Sequence, residues 1–250
     1  MPITIIMPAL NEEQNIEAAI EDTLAAFRKY GIEGEVLVVN DGSTDSTSEK
    51  IKRKAEERPG MVRMISHVRP QGIGSSFWDG VDGAKGDMVC MLPGDNENLP
   101  GEILRYARLL EDVDLVIPFV LNKEVRPRFR RFMSANYVRF MNFTFATSLN
   151  YTTGTVIYRK SLLKELPSRR MGFFFQTDIL IRLVKRGYLF AEVPYRLRER
   201  GGGRSKAVRL RSLGDIIRGY LKLVFDIHFG KGRPIKEYAE DSVTAKRKKG

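Results

Sequence analysis

Two stretches near the start of the chain decide its fold: Ile3-Thr4-Ile5-Ile6-Met7-Pro8-Ala9-Leu10-Asn11-Glu12-Glu13 and Val36-Leu37-Val38-Val39-Asn40-Asp41-Gly42-Ser43-Thr44-Asp45. Each is an apolar run that stops abruptly at small, polar and acidic residues. Ile3–Met7 reads as a buried strand ended by Pro8, and Val36–Val39 as a second strand. Between them Ile16, Ala19, Ile20, Thr23, Leu24 and Phe27 recur at helical spacing. Asn11 is placed as the N-cap of that helix, with Glu12 and Glu13 near the positive end of its dipole.

The alternation continues outward. A helix over about Thr44–Glu57, a strand at Val62–Ile65, a short helix at Ser75–Gly83 and a strand at Met88–Leu92 follow. A helix at Gly101–Leu110 and a strand at Leu115–Ile117 complete the series. Strands alternating with helices at this spacing predict an α/β, Rossmann-like, mostly parallel sheet with helices on both faces. Ligands of such sheets sit outside the carboxyl ends of the strands, which singles out Pro8–Glu12, Asn40–Ser43 and Pro93–Glu97. These loops carry Glu12, Asp41, Asp95 and Glu97, whose oxygens suit ribose hydroxyls, base N–H groups or a hard divalent cation. Asn11, Asp41 and Asp45 equally suit helix caps and turns. Composition alone leaves both readings standing.

The second half is less regular. Arg126–Arg139 holds five arginines and no acid, and runs on into Phe140, Phe143 and Phe145, so a basic face adjoins an aromatic one. Thr155–Tyr158 is predicted as a strand, Phe173–Lys185 as a helix carrying Asp178, and Glu192–Arg198 as extended. Gly201–Gly203 opens a basic loop, Ser212–Phe229 an amphipathic helix, and residues 231–250 a disordered basic tail. His67 and His228 stand apart from these features, and Trp78 reads as helix packing.

Charge divides the chain. Residues 1–120 carry 12 Lys and Arg against 21 Asp and Glu, whereas residues 121–250 carry 30 against 10. The basic half points to an anionic partner, and the acidic strand-end loops argue against a nucleic-acid-binding module. A lone cysteine, Cys90, precludes an intramolecular disulfide and fits a reducing compartment. No stretch approaches the ~20 apolar residues of a spanning helix, and the Met1 end lacks a signal-peptide pattern. A soluble or peripheral protein is expected.

The strings themselves carry a resemblance. Pro8-Ala9-Leu10-Asn11-Glu12-Glu13 followed by Val38–Asp45 resembles the opening of family-2 glycosyltransferases, as does Gly86-Asp87, a strand, an acidic loop and Pro100-Gly101-Glu102. Val193-Pro194 through Arg200 to Gly203-Arg204-Ser205-Lys206, preceded by Phe175-Gln176-Thr177-Asp178, is similar to the signature of dolichyl-phosphate mannose synthases and related polyprenyl-phosphate sugar transferases. The similarity covers roughly residues 3–206 and departs in places. Pro93 stands where the family loop has the first aspartate of Asp-x-Asp, Asn40 where an acid precedes Asp41, and Leu10 where an aromatic is usual. A lysine common after Gly72 is missing.

The resemblance implies a GT-A fold, the fold of nucleotide-diphospho-sugar transferases, as one catalytic domain over 1–230. Residues 1–120 would be its nucleotide-sugar half and 121–230 its acceptor- and membrane-facing half. It implies inverting, metal-dependent transfer of a sugar from a nucleotide-diphosphate sugar to a polyprenyl-phosphate lipid. Pro8, Leu10, Asn11, Glu12, Asn40, Asp41, Arg200, Ser205 and Lys206 would bind the donor, and Asp95 and Glu97 the Mg²⁺ or Mn²⁺. Arg128, Arg130 and Arg131 would hold the acceptor phosphate. Asp95 and Asp178 would be catalytic, with Asp178 the candidate base. A phosphomonoester with second pKa near ~6 is already mostly dianionic at neutral pH, so Asp178 is better suited to orienting the arginines or the sugar. The expected place is an anionic membrane surface on its cytoplasmic face, with any membrane-protein partner left open. The rival within the same fold is transfer to a saccharide or protein hydroxyl, with Asp178 as an obligatory base.

Overall fold

A computed structural model describes residues 1–198, 210–230 and 238–249, with side chains from residue 214 onward in the second segment. Strand β1 (Ile3–Ala9) is buried along its whole length. Its odd-numbered residues Ile3, Ile5, Met7 and Ala9 face one apolar layer and Ile6 the other, the period-two alternation of a strand covered on both sides. Helix α1 (Ile16–Tyr30) buries Ile16, Ala19, Ile20, Leu24 and Phe27 against the first layer. It ends on Gly31 in the left-handed conformation, φ 61°.

Strand β2 (Gly34–Asn40), helix α2 (Thr47–Glu57), strand β3 (Val62–Ser66), helix α3 (Ile73–Gly83) and strand β4 (Met88–Met91) follow. A short helix α4 (Pro100–Leu104) and a 3₁₀ turn at Ala107–Glu111 lead into β5 (Leu115–Val120). Beyond it lie α5 (Arg128–Phe145), β6 (Ile157–Arg159), α6 (Lys160–Lys164), α7 (Phe175–Lys185), β7 (Phe190–Tyr195), α8 (Leu210–Val224) and α9 (Val243–Lys249). The sheet order is β3-β2-β1-β4-β6-β5-β7. Only β6 runs against its neighbours, so the carboxyl ends of β1, β2, β3, β4, β5 and β7 open on one edge. That edge collects the loops after Ala9, Asn40, Ser66, Met91, Val120 and Tyr195.

The sequence-based expectation of a mostly parallel α/β sheet holds, with local corrections. Pro8 lies inside β1 rather than ending it. Its carbonyl accepts from the Gly94 N–H at 3.0 Å, just beyond the end of β4. Asn11 is not the N-cap of α1. It sits in the left-handed region at φ 54°, and α1 begins five residues later, behind its N-cap Asn15. The expected helix over Gly101–Leu110 is instead α4 and the 3₁₀ turn. Ser212–Phe229 is α8 continued by a π-helical turn, Phe225–Phe229.

The expectation of a disordered tail fails for residues 238–249. The fully buried Asp114 carboxylate accepts the Val243 N–H at 2.6 Å and the Thr244 N–H at 3.2 Å. An acid on a distant loop thus caps α9 and anchors it, a partnership that no local pattern reveals.

Candidate active site

The loops after β1 and β2 are interlocked by reciprocal hydrogen bonds. Asn11 Oδ1 accepts the Thr44 N–H at 2.8 Å, and Ser43 Oγ accepts the Asn11 N–H at 3.0 Å. Glu13 Oε2 accepts the Ser46 N–H at 3.2 Å, Thr47 Oγ1 accepts the Glu12 N–H at 2.8 Å, and Asp45 Oδ1 accepts the Thr47 N–H at 3.0 Å. The first turn of α2 is therefore capped by two acids, one from each loop. Burial pushes the Asp45 carboxyl up, but hydrogen bonds from Thr47 and Glu13 outweigh it and leave the group below its usual range. A cavity of about 260 Å³ lined by Asn11, Glu12, Glu13, Gln14, Asn15 and Asp45 opens beside these loops.

Asp41 and Asn40 are both buried, and their side chains shape backbone. Asn40 Oδ1 accepts the Ser43 N–H at 3.2 Å. The Asp41 carboxylate accepts the N–H groups of Gln71 at 2.7 Å and Gly72 at 2.8 Å. Its Oδ1 also lies 2.7 Å from His67 Nδ1, and His67 Nε2 lies 2.9 Å from Asp79 Oδ2. Asp41 thus fixes the loop that leads into α3. Gly42 makes this possible: at φ +72° a Cβ there would fall 2.7 Å from the Arg69 carbonyl carbon. His67, which the sequence reading set apart, belongs to this network. It directly follows β3, so the strand-end rule applied to β3 would have found it. Pro8 is buried in β1 and Leu10 half-buried beyond it.

After β4 the chain turns at Asn96, held left-handed at φ 55°, and the Glu97 N–H donates to Asp95 Oδ1 at 3.1 Å. The segment leaving β7 closes on this turn. The Arg198 N–H donates to the Glu97 carbonyl at 3.1 Å, and Leu197 bridges Asn98. Asn122, whose role the sequence hid, grips Leu197 by both backbone groups at 2.9 Å. Arg200, Ser205 and Lys206 lie outside the described residues.

Among the described residues, no three His, Cys, Asp or Glu side chains gather to hold an ion by themselves. Pro93 contributes no donor. Asp95 and Glu97 flank Asn96, whose Oδ1 is buried without a hydrogen-bond partner. This all-oxygen set fits Mg²⁺ or Mn²⁺ in the mode where one or two carboxylates suffice and substrate phosphates and water complete the shell.

Asp178 is 1% exposed and is not arranged as a base. Its Oδ1 accepts from Arg170 Nε at 2.9 Å and its Oδ2 from Arg182 Nε at 2.8 Å. Arg182 also donates to Asp226 at 2.6 Å, tying α7 to the turn after α8. Both carboxylate oxygens are thus occupied by guanidinium groups, one from the loop before α7 and one from α7 itself. Trp78 is packed, with Nε1 donating to the Arg170 carbonyl at 2.9 Å.

Arg128, Arg130 and Arg131 occupy the first turn of α5, close to where the chain leaves β5 on the ligand edge. Three cations at the positive end of a helix dipole, with no acid in that turn, oppose helix formation. Arg128 and Arg130 are exposed and Arg131 half-buried. Of eighteen residues in α5 only Met141 and Phe145 are buried, while Phe129, Phe132, Met133, Phe140 and Phe143 face outward.

Known proteins place this arrangement. The solved glucosyl-3-phosphoglycerate synthase of Mycobacterium tuberculosis superposes with a TM-score of 0.62 at 23% identity, over 90% of this chain and 79% of that one, so the fold is shared. Dodecaprenyl-phosphate galacturonate synthase of Rhizobium johnstonii is 27% identical over 170 residues, 66% of this chain and 50% of the relative. Undecaprenyl-phosphate 4-deoxy-4-formamido-L-arabinose transferase of Edwardsiella ictaluri is 28% identical over 206 residues, 82% of this chain and 62% of the relative. The chain thus spans between half and under two thirds of these relatives' length. The profile described as glycosyl transferase family 2 matches residues 4–167, well over half of the sequence, and the chain belongs to that family.

Proposed function

We propose that the chain transfers a sugar from a nucleotide-diphosphate sugar to a polyprenyl phosphate at a membrane surface, with inversion. The observation that carries the acceptor half is α5. Its first turn gathers Arg128, Arg130 and Arg131 at a helix start that has no side-chain cap, and the rest of the helix exposes phenylalanines. Guanidinium forks and a helix start together suit a phosphate, and exposed aromatics suit the lipid attached to it. The Rhizobium and Edwardsiella relatives are named for polyprenyl-phosphate substrates.

On the donor side, Asn11 and Glu12 face the ligand edge, while Asp41 supports that face through the 69–72 loop. Asp95 and Glu97 would hold the divalent cation, which supplies charge neutralisation of the departing diphosphate. Structures of the mycobacterial neighbour with Mn²⁺ and UDP-glucose support that choice. A lipid-phosphate oxygen attacks the anomeric carbon as the bond to the diphosphate oxygen breaks, and nucleoside diphosphate leaves. The attacking phosphate is a dianion, so no proton need be removed, consistent with an Asp178 locked between two arginines. That geometry disfavours the hydroxyl-acceptor reading, which needs a free base.

The test is sugar transfer from GDP-, UDP-, CDP- and TDP-sugars, with Mg²⁺ or Mn²⁺, to a polyprenyl phosphate in mixed micelles. One donor should give a lipid-extractable product, and EDTA or Asp95→Ala should stop it without unfolding the protein. Transfer only to soluble saccharides, or turnover indifferent to EDTA, would sink the reading.

A further inference from the structure

A second basic site is built from residues outside the strand-end loops and outside the first turn of α5. Residues 168–174, between α6 and α7, face α8 across a cavity of about 450 Å³, lined among others by Ser168, Arg169, Arg170, Arg218, Lys222 and the carboxylate-bearing Asp215. The loop is fixed in place from behind. Gly74 of α3 packs so closely on it that a Cβ there would fall 2.1 Å from the Met171 carbonyl oxygen. Arg169 is committed to Asp82 at 2.5 Å and to the face of Trp78 at 4.9 Å. Arg170 is aimed by Asp178, which grips Nε only, and its Nη2 is buried without a hydrogen-bond partner. Ser168 Oγ is likewise buried and unpartnered.

Two buried donors beside this cavity lack acceptors, a cost that a ligand drawn against the loop would remove. The ligand must be an oxyanion, since Arg218 and Lys222 add positive charge at the mouth. Asp215 offsets them only in part, lying 4.0 Å from Arg218. Donors on the loop and cations on α8 approach from two sides, which suits the several oxygens of a phosphate better than a planar carboxylate. We infer that this cavity binds a phosphate group, either free phosphate or the phosphomonoester headgroup of a lipid, and that occupancy ties α8 to the loop before α7. The inference shares Asp178, which aims Arg170, with the proposed transfer, yet the two can fail separately. It uses neither the α5 arginines nor Asp95.

Thermal unfolding with orthophosphate, against chloride at matched ionic strength, reads it directly. Orthophosphate should raise the melting temperature saturably. Ser168→Ala should weaken its apparent Kd by roughly 2- to 10-fold, the worth of one hydrogen bond. It should leave the ligand-free protein no less stable, because it deletes an unpaired hydroxyl. Arg218→Gln, on an exposed side chain, should weaken binding by about tenfold, and Asp95→Ala should leave it unchanged. Vesicles of phosphatidylcholine with phosphatidic acid, compared with phosphatidylglycerol at equal surface charge, separate the sources. A preference for phosphatidic acid that Ser168→Ala removes assigns the headgroup. Saturable orthophosphate binding without that preference assigns free phosphate. No effect beyond chloride overturns the site, as does wild-type affinity in both Ser168→Ala and Arg218→Gln.

Discussion

Two buried carboxylates show how a residue's surroundings decide its work. Glu35 is 5% exposed and accepts from Arg63 Nε at 2.7 Å, Thr4 Oγ1 at 2.8 Å and the Lys85 N–H at 2.8 Å. Burial pushes its carboxyl up, but Arg63, Lys85 and Thr4 together hold it below the usual range. A depressed carboxyl stabilises the fold above its unfolded-state pKa, and the contribution is lost as pH falls through the folded value. Glu35→Gln should therefore cost about 1–3 kcal/mol at neutral pH, and the gap to wild type should narrow as pH falls below the ordinary carboxylate range, as read by urea unfolding across pH. Asp178 has the same kind of environment on a catalytic-looking motif. Asp178→Asn should cost on the order of 3 kcal/mol, as when a buried ion pair loses one partner. The pH profile of transfer should keep its shape. Loss of an acidic limb together with unchanged stability would restore the general-base role. Phe-Gln-Thr-Asp was legible as a motif, but the partners of its aspartate were not: Arg170, Arg182 and, through Arg182, Asp226 are set around it by the fold.

At the scale of elements, strands and their outlets were legible because apolar runs and polar stops are local signals. The strand-end rule located the loops after Ala9, Asn40 and Met91 correctly. What sequence could not supply was the pairing between outlets, such as Asn122 gripping Leu197 or Asp114 capping α9, since each joins residues more than seventy positions apart. Helix α5 is the element on which the acceptor reading turns. If Arg131 holds a phosphate, it supplies a charge-assisted hydrogen bond of roughly 1.5–3 kcal/mol. Arg131→Ala should then raise acceptor KM or lower kcat by roughly 10- to 150-fold, with donor binding unchanged. Arg131→Lys should recover only part of the loss, because an ammonium lacks the guanidinium fork. Steady-state kinetics with varied acceptor decide this. Untouched acceptor kinetics in Arg131→Ala would return α5 to a solvated basic face.

Across the whole molecule, the charge division visible in the sequence acquires a direction. Among the described residues no helix is long and apolar enough to cross a membrane, yet two neighbouring elements expose large apolar side chains. On α5 these are Phe129, Phe132, Met133, Phe140 and Phe143. On α8 and the turn after it they are Ile217, Leu221, Phe225 and Phe229, spaced every fourth residue along one stripe. Phe140 and Tyr220 join the two at a ring separation of 5.2 Å. Such a surface, set in the basic half of the chain, matches an interface with both charge and hydrocarbon, and it gives membrane binding two separable parts. Polybasic attraction is worth ~1 kcal/mol per Lys or Arg near an anionic surface and weakens as salt shortens the screening length from about 10 Å at 0.1 M to about 3 Å at 1 M. Apolar insertion does not depend on salt in that way. Co-sedimentation with anionic vesicles should therefore fall steeply with salt, whereas Phe132→Ser with Phe143→Ser should lower binding at every salt concentration without changing that slope. Transfer to a soluble short-chain acceptor should survive the double variant, because the arginines proposed to hold the phosphate are intact. Binding that is equally strong to neutral vesicles at high salt would contradict the electrostatic part, and an unaltered double variant would contradict the apolar part. A failure of both would remove the membrane from the account and leave the α5 phenylalanines to some other partner.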